Sequence, residues 1–567
     1  MSADYAVEKN VVVDDSGVNE RMDKAVLREA AAADEAEHKM TIAQGWKSHR
    51  KAILWSMALS AALIMEGYDV VVIGSFYGHP AFLKRFGKVD PTNVNGYSIP
   101  SEWQSALSNG SSAGGIIGLM INGWAADRYG PRIVMMVATV ALTAFIFLFV
   151  FANSLGMLVA AEVCCGLPWG VFQTLTTAYA SEVCPIQLRG YLTAYVNACW
   201  GIGILLSSGV VKASLTIESQ WSWRMPFLIQ WVWVIPLFII VYFSPQSPWW
   251  LVRHERLDEA QAALRRLTNP EVVSEDDLRN TVAMMVHTNE IERAIEEGTT
   301  YIECFKGLDR RRTEISMMVF AMQLLSGQNL IGQGVQFLQK AGISTNLSFS
   351  LNMILNSMFI IGTMASWVLI TWIGRRTLYF YGMGLMSVVL FVIGGLGWTS
   401  DHSTFEEDGT TYIFKDGKFI STTYAIGSLL IMLNFVYNAT LGPICYTLIG
   451  EISSTRLRQK SIALSRIAYQ VMNIVCGIIV PRMLNDWNWG PKSGIFWGVS
   501  AGLCTAYIWL RLPETRGRSY GELDLLFEHK VPAWKFAKTK VNQFAAETDH
   551  KVESSHHDHV DEKTEQI

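Results

Sequence analysis

The chain has 567 residues, of which 50% are hydrophobic and 17% are charged, and its formal net charge is −4. Soluble globular domains carry about a quarter of charged residues, so this composition favours a polytopic membrane protein. The slightly acidic balance argues against nucleic-acid binding. The eight cysteines show no spacing typical of metal ligands. We therefore expect no metal site, no disulfide framework and no cofactor.

The N-terminal segment, residues 1–50, is charged and rich in alanine, and it lacks the apolar core of a cleavable signal peptide. We expect it to be a disordered cytoplasmic tail. The first membrane helix, over 51–77, must then direct the chain to the membrane.

Twelve apolar stretches are each long enough to cross a hydrocarbon core of about 30 Å. They predict an all-α membrane protein with two six-helix halves, residues 51–243 and 313–511. A polar cytoplasmic block with short amphipathic helices, residues 244–312, separates the halves, and a cytoplasmic tail covers 512–567. The predicted spans are 51–77, 102–125, 131–152, 156–180, 188–212, 225–243, 314–339, 347–371, 376–397, 421–449, 460–483 and 492–511.

Basic residues are denser in the loops after spans two, four, eight and ten than in the loops on the other side. Because basic loops stay on the cytoplasmic side of a membrane, this bias predicts that both termini and the middle block are cytoplasmic.

Span one contains two carboxylates, Glu66 and Asp69, three residues apart on one helical face. An ionisable group at the middle of a bilayer costs about 2.5–3.5 kcal/mol on insertion scales. The pair therefore suggests a water-filled or proton-handling cavity. The alternative is two acids that reach the interface near a helix end.

The loops on the predicted cytoplasmic side repeat between the two halves, which indicates a duplicated six-helix unit. Acids and arginines at facing helix ends can form charge-assisted hydrogen bonds that close one side of a transporter. The alternative is that these charges only set topology, as exposed pairs worth under about 1 kcal/mol each. The candidate gating residues are Asp127, Arg128, Arg132, Glu182 and Arg189 in the first half, and Arg375, Arg376, Glu451 and Arg458 in the second.

These repeated motifs carry a family resemblance. Over about residues 50–525 the chain resembles the sugar porter family of the major facilitator superfamily, and within it the fungal α-glucoside (maltose-type) permeases. The resemblance implies a proton symporter of the plasma membrane. It rests on Gly123-x3-Asp127-Arg128, Glu182-x6-Arg189-Gly190, Ser247-Pro248, Gln323-x3-Gly327-x-Asn329, Gly374-Arg375-Arg376, Pro513-Glu514-Thr515-Arg516-Gly517 and, for the permeases, Glu66-Gly67-Tyr68-Asp69 and Cys165-Gly-Leu-Pro-Trp-Gly-Val-Phe-Gln173.

The ionisable residues inside the spans are the candidates for proton coupling: Asp69, Glu66, Glu162 and Arg466. The resembled hexose porters have an arginine where this chain has Glu162. Three acids would then cluster between spans one and four, and we expect at least one of them to be protonated at neutral pH. Arg466 in span eleven is the candidate counter-charge.

Sugar hydroxyls are matched by amide side chains, which donate and accept together, and by aromatic rings that cover the C–H faces. Span seven supplies several amides, and Asn329, Gln333 and Gln336 would share one face of a continuous helix. The alternative for each residue is hydrogen bonding between helices. The candidate substrate-binding residues are Gln323, Gln328, Asn329, Gln333, Asn197, Trp200, Asn438 and Tyr446.

These features predict proton-coupled import of a maltose-like α-glucoside across the plasma membrane by alternating access, with the sugar, the proton and the lipid bilayer as partners. We expect a monomer. One alternative is a transporter-like sugar sensor, although the C-terminal tail is short for signalling. Another is an exporter of a glycosylated or other secondary metabolite. No nucleophile–base pair or phosphate loop supports an enzyme.

Overall fold

The computed structural model describes residues 29, 40–90, 95–184, 186–296, 301–341, 343–399, 405–407, 410–412, 418–453, 457–516, 523, 526–536 and 539. Most of the predicted terminal tails, residues 1–28, 30–39 and 540–567, lie outside the described residues. So do the side chains of Arg189, Asn197 and Arg458.

The first half contains six spanning segments, preceded by a short helix and followed by helices of the middle block. A small antiparallel pair of strands, in which Lys88 faces Ser98, connects span one to span two. The elements are α1 Ile42–Ser48; α2 Arg50–Ser60 and α3 Ala62–Phe76 (span one); α4 Pro80–Phe86; β1 Lys88–Val89; β2 Tyr97–Ser98; α5 Ser101–Tyr129 (span two); α6 Pro131–Val150 (span three); α7 Leu155–Val183 (span four); α8 Ile186–Ser214 (span five); α9 Trp221–Phe243 (span six); α10 Pro248–Arg253; α11 Leu257–Leu267; and α12 Glu275–Glu296.

The second half repeats this order, but spans seven and ten are interrupted by π-helical turns. The antiparallel strands β3 and β4 lie between spans nine and ten. The elements are α13 Asp309–Gln323, a π turn Leu324–Gln328, α14 Asn329–Gly332 and α15 Gly334–Lys340 (span seven); α16 Thr345–Trp372 (span eight); α17 Arg375–Thr399 (span nine); β3 Phe405–Glu407; β4 Thr410–Tyr412; α18 Lys418–Val436, a π turn Tyr437–Leu441 and α19 Gly442–Ile452 (span ten); α20 Arg458–Leu484 (span eleven); α21 Ser493–Arg511 (span twelve); and single 3₁₀ turns at Glu303–Phe305, Gly490–Lys492 and Ala533–Lys535.

Ten helical segments of the described chain are long and apolar enough to cross a membrane. The two remaining predicted spans are the 29-residue helices of spans two and five, which are richer in small and polar residues. Their composition follows from their position, because both pack closely against other helices of the bundle. A Cβ atom at Gly114 of span two, for example, would lie 2.0 Å from the backbone oxygen of Val163 in span four. Small residues let membrane helices approach in this way.

Each half has its own hydrophobic core, and the core of spans one to six also takes in Val335 of span seven and Phe349 of span eight. The middle block adds a small core of its own around Trp250, Leu251 and Leu264. Across the boundary, span two packs against span eleven and span five packs against span eight. Span one also contacts α15 of span seven across this boundary. Most of the candidate site residues lie on spans one, four, seven and ten.

Candidate transport site

The two acids of span one lie on α3 and are buried, and each accepts a hydrogen bond from a glutamine of another helix. Gln230 of span six donates its side-chain N–H to Asp69 over 2.7 Å. Gln173 of span four donates to Glu66 in the same way. The Trp200 indole of span five lies beside Glu66 as a further donor. Buried carboxylates are stabilised by such donors, which replace part of their lost hydration.

The third acid, Glu162 of span four, is 2% exposed and lies at the tight interface with span two. Ser111 of span two is its side-chain hydrogen-bond partner, and Asp69 interacts with it electrostatically. A Cβ atom at Gly110 would meet the Glu162 Cβ at 2.7 Å, so the absence of a side chain at Gly110 makes room for the acid. The three acids are thus brought together at the boundary of spans one, two and four.

Arg466 projects from span eleven, on the opposite side of the boundary, toward the Glu66 carboxylate, with which it interacts electrostatically. Its guanidinium carbon lies 5.1 Å from the ring centroids of both Phe320 and Tyr446. Such cation–π contacts hold a guanidinium in place without neutralising it. Arg466 therefore faces the acids across the boundary while its stem is fixed within its own half.

Span seven is not the continuous helix that the amide spacing predicts. Gly327 has a φ of 85° inside the π turn, and the backbone breaks again at Gln333 before α15 begins. Only glycine adopts that φ at little cost, which explains a break at this position. The prediction that Asn329, Gln333 and Gln336 share one face of a continuous helix is therefore wrong, because a residue count of i, i+4, i+7 holds only where the helix is regular.

The amides of span seven fall into two groups. The side chain of Gln323 is engaged within its own half, because it accepts from the Tyr437 hydroxyl at 2.8 Å and donates to the Cys445 sulfur. By contrast, the side-chain oxygens of Gln328 and Gln333 have no hydrogen-bond partner among the described residues. Asn329 contacts the Cys476 thiol. The oxygens of Gln336 and Gln339 are also without a partner, although their N–H groups donate to Asn485 and to the Gly78 carbonyl. Among the predicted substrate residues of span seven, Gln328 and Gln333 thus have acceptor capacity left for a ligand.

The remaining candidate substrate residues take different positions. The Trp200 ring packs 5.6 Å from the ring of Phe359 in span eight, which places it at the boundary. Tyr446 is 47% exposed although it lies inside the bundle beside Arg466, as expected of a residue that lines a cavity. Asn438 is buried and donates to Asn434 within span ten. The Asn197 side chain lies outside the described residues.

Four residues outside the predicted set contact predicted site residues. They are Gln173, Gln230, Tyr437 and Phe359, which contact Glu66, Asp69, Gln323 and Trp200, respectively. The available signal for Gln230 was an isolated amide in the interior of a strongly apolar helix, Trp221–Phe243. A buried amide needs partners, so an isolated one indicates a polar contact from another helix. The sequence contains no indication of which helix supplies it.

Several gating candidates of the first half lie at the end of the bundle where spans two and four finish, here called the motif end. The Gln246 side-chain oxygen accepts from the backbone N–H of Arg132 at 3.2 Å and so caps the start of span three. The Arg132 guanidinium donates to the Tyr242 carbonyl, and the Trp250 indole donates to the Asp127 carbonyl at 2.8 Å. Glu182 accepts from Ser247 at 2.5 Å, and Arg128 lies over the Trp124 ring.

The second half has the matching arrangement at the same end. Glu514 accepts from the backbone N–H of Arg376 at 3.4 Å and caps the start of span nine. The Arg376 guanidinium donates to the Trp509 carbonyl at 2.8 Å. Arg375 and Glu451 form an ion pair of 3.3 Å. None of the contacts named here for the motif end joins one half to the other. The side chains of the last two gating candidates, Arg189 and Arg458, lie outside the described residues.

At the opposite end of the bundle, polar contacts join the two halves. Gln339 of α15 donates to the Gly78 carbonyl at 2.9 Å, and Ser101 of span two donates to Asp486, which follows span eleven, at 2.6 Å. The Lys340 ammonium lies 3.9 Å from Asp90. The described conformation is therefore closed between the halves at the end opposite the motifs.

Comparisons with known proteins agree with this architecture. The chain is 38% identical to the maltose permease MAL31 of Saccharomyces cerevisiae over 538 residues, which are 93% of this chain and 84% of that protein. It is 38% identical to the alpha-glucosides permease MPH3 of the same organism over 94% of this chain and 86% of that one. Its fold matches the partially occluded, inward-open xylose transporter XylE of E. coli with a TM-score of 0.64, at 19% identity, over 83% of this chain and 100% of that one.

The match in fold establishes the twelve-helix architecture of the major facilitator superfamily. A family model described as "Sugar (and other) transporter" matches residues 55–527. This match covers most of the chain and contains both six-helix halves. The chain belongs to this sugar transporter family, whose members are multi-pass membrane transporters and not enzymes.

Proposed function

We propose that this protein imports a maltose-like α-glucoside across the plasma membrane together with a proton, by alternating access. The observation that carries the proposal is the 38% identity, over more than nine-tenths of the chain, to permeases named for maltose and for α-glucosides. The residues around the boundary support it with the two chemical elements that such a reaction needs, which are amides and aromatic rings for the sugar and a group of buried acids for the proton.

The sugar site lies at the boundary of the halves. Gln328 and Gln333 keep acceptor capacity, and Asn329 lies between them in sequence on the broken span seven. Trp200 and Tyr446 supply aromatic faces from spans five and ten. Amides that meet sugar hydroxyls and rings that cover the C–H faces of the pyranose are the complement of a neutral disaccharide.

The proton site is the group of acids formed by Asp69, Glu66 and Glu162. Coupling requires an acid whose protonation differs between the outward-facing and inward-facing states. Glu66 lies beside both the Trp200 indole and the Arg466 guanidinium. A change of protonation at the acids therefore acts on an aromatic ring of the proposed sugar site and on a cation of the other half. One proton that moves down 100 mV supplies about 2.3 kcal/mol for sugar accumulation.

In this proposal the motif end is cytoplasmic, with both termini and the middle block on that side, because basic residues are concentrated in its short loops. The polar contacts that join Gln339 to Gly78 and Ser101 to Asp486 then form the outer gate. In the described conformation this outer gate is closed. A single chain contains both halves of the site and works as a monomer.

Uptake of radiolabelled maltose, trehalose, sucrose and glucose by a transport-null yeast strain that expresses the full chain tests the proposal, with extracellular alkalinisation recorded in parallel. Maltose or another α-glucoside should accumulate, and the medium should become alkaline as protons enter with it. Absence of uptake for every sugar would reject import and leave a sensor or an exporter. Uptake that is insensitive to uncouplers would reject the proton as the driving ion.

A further inference from the structure

Asp69 and Gln230 form a pair that is sealed from solvent on both sides. The exposed fraction is 1% for each residue, and the Gln230 N–H donates to the carboxylate over 2.7 Å. Span six is held against span one at this point, because the Tyr68 hydroxyl donates to the Pro226 carbonyl at 2.8 Å, one helical turn before Gln230. The pair therefore cannot separate without moving one helix away from the other.

The oxygen of the same amide group can still accept a hydrogen bond. The side-chain oxygen of Gln230 is buried and has no hydrogen-bond partner among the described residues. An unpartnered buried acceptor costs free energy, so its presence beside a group that changes protonation requires a reason. Rotation of the amide by half a turn about its terminal torsion would exchange the N–H₂ group and the oxygen without moving the helix.

An ionised carboxylate only accepts hydrogen bonds, whereas a protonated carboxylic acid also donates one. A glutamine amide can serve both forms, because it presents a donor in one orientation and an acceptor in the other. A lysine or arginine could serve only the ionised form. An amide partner thus lets a buried acid gain and lose a proton without leaving either form unsatisfied.

We propose that Gln230 is the positioning residue for the proton-carrying acid: its N–H donates to ionised Asp69, and after the amide turns over its oxygen accepts from protonated Asp69. The inference rests on the proposed proton-coupled function and extends it to a residue on span six. The proton arrives from extracellular water on an Asp69 carboxylate oxygen and leaves to cytoplasmic water, and no bond of the sugar changes.

The electrostatic surroundings of the pair come from the helices packed against it. Asp69 interacts with Glu66 and Tyr68 on its own helix and with Glu162 and Cys165 on span four. Trp169 of span four lies beside the same carboxylate. The cation of the group, Arg466, faces Glu66. Gln230 is thus the residue of span six that contacts Asp69, whereas the other side chains named around Asp69 and Glu66 lie on spans one, four and eleven.

Two substitutions test the role. Gln230→Met has nearly the same shape but neither donor nor acceptor. A hydrogen bond to a charged group is stronger than one to a neutral group. Loss of the Gln230 hydrogen bond therefore destabilises ionised Asp69 more than protonated Asp69. The external pH at which maltose uptake falls to half should move to alkaline values by about one unit, a tenfold change in proton affinity. Gln230→Glu, an isosteric change, should move it further in the same direction, because two adjacent carboxyl groups share one proton.

Gln104→Met is the matched control. Gln104 of span two is also fully buried and donates its side-chain N–H to a backbone carbonyl at 3.0 Å. Among the described residues its side-chain oxygen has no partner, and no acid is bonded to its side chain. Its substitution should leave the pH profile of uptake unchanged. The full-length variants are compared in yeast at matched surface amounts, both in proton-driven uptake and in equilibrium exchange of labelled for unlabelled maltose, which needs no net proton movement.

An alkaline shift in both Gln230 variants, with exchange retained and with Gln104→Met at the wild-type midpoint, supports the role. Profiles of Gln230→Met and Gln230→Glu that superimpose on the wild type would overturn it, and so would a loss of exchange without a shift of the midpoint. If Gln230→Met does not reach the membrane, the isosteric Gln230→Glu decides. Failure of the wild type itself to couple uptake to protons would instead reject the proposed function.

Discussion

The two halves of this transporter contribute different chemistry to the boundary between them. The first half supplies the buried acids, and each has a polar partner from a neighbouring helix of the same half: Glu66 with Gln173, Asp69 with Gln230, and Glu162 with Ser111. The second half supplies the amides of span seven and the cation Arg466, which is held between aromatic rings.

This division shows where coupling must occur. If the acids of the first half handle the proton and the amides of the second half bind the sugar, the two functions meet only across the boundary. Contacts of the candidate site residues across this boundary include those of Glu66 with Arg466 and of Trp200 with Phe359. In the proposed mechanism, the first half therefore supplies the acids and the second half most of the sugar-binding amides, while Trp200 and Arg466 act from the opposite halves.

Asp69→Asn should abolish accumulation of maltose against a gradient while equilibrium exchange continues, because an amide cannot take up and release the proton. The loss should exceed tenfold, since about 2.3 kcal/mol of driving force per 100 mV disappears with the proton. Accumulation ratios and exchange rates in yeast measure the two properties separately. Asp276→Asn, an exposed acid of the middle block, is the control. Full accumulation by Asp69→Asn would remove Asp69 from the proton site.

Arg466→Gln should reduce net maltose uptake by about tenfold, because Glu66 loses the cation that favours its ionised form and proton release becomes slow. One unit of proton affinity corresponds to a tenfold change in rate or occupancy. The control is Arg482→Gln, an exposed arginine on the same helix. Equal uptake by both variants would show that the second half does not contribute its charge to coupling.

Gln328→Ala should raise the KM for maltose by about three- to tenfold with little change in maximal rate, since one hydrogen bond contributes about 0.5–1.5 kcal/mol. Gln323→Ala, on the same span, should instead lower the amount of folded protein at the membrane. Its amide is engaged by Tyr437 and Cys445, so its removal leaves buried partners unpaired. If the two variants behave alike, the distinction between free and engaged amides is wrong.

The two caps at the motif end allow a reciprocal exchange. Gln246 caps span three as an amide, whereas Glu514 caps span nine as a carboxylate. Because a negative charge is favourable at a helix N-terminus, Gln246→Glu should stabilise the protein by about 0.3–1 kcal/mol and Glu514→Gln should destabilise it by a similar amount. Thermal unfolding of the purified variants in detergent measures both. Changes of the same sign in the two variants would contradict the equivalence of the caps.

Much of the fold was predictable because it depends on local properties. Apolar length and the repeated loops gave the twelve spans and the duplication, and the acids of span one stood out as charges in an apolar stretch. The shared amide face of span seven was not predictable in the same way. It assumed a regular helix from Asn329 to Gln336, and the structure interrupts that helix at Gln333.

The amino-acid sequence alone specifies the helical architecture, the three acids and one arginine inside the membrane, and the amides of span seven. These features follow from hydropathy and side-chain chemistry, which are properties of single residues and short segments. The tertiary structure decided which groups meet. Asp69 and Gln230 are 161 positions apart in the chain, and only the packing of span six against span one makes them partners. Helix packing also gives two glutamines of the same span different surroundings. The Gln323 oxygen accepts a hydrogen bond from Tyr437, whereas the Gln328 oxygen has no partner among the described residues. Because the two side chains are chemically identical, residue type alone does not distinguish them.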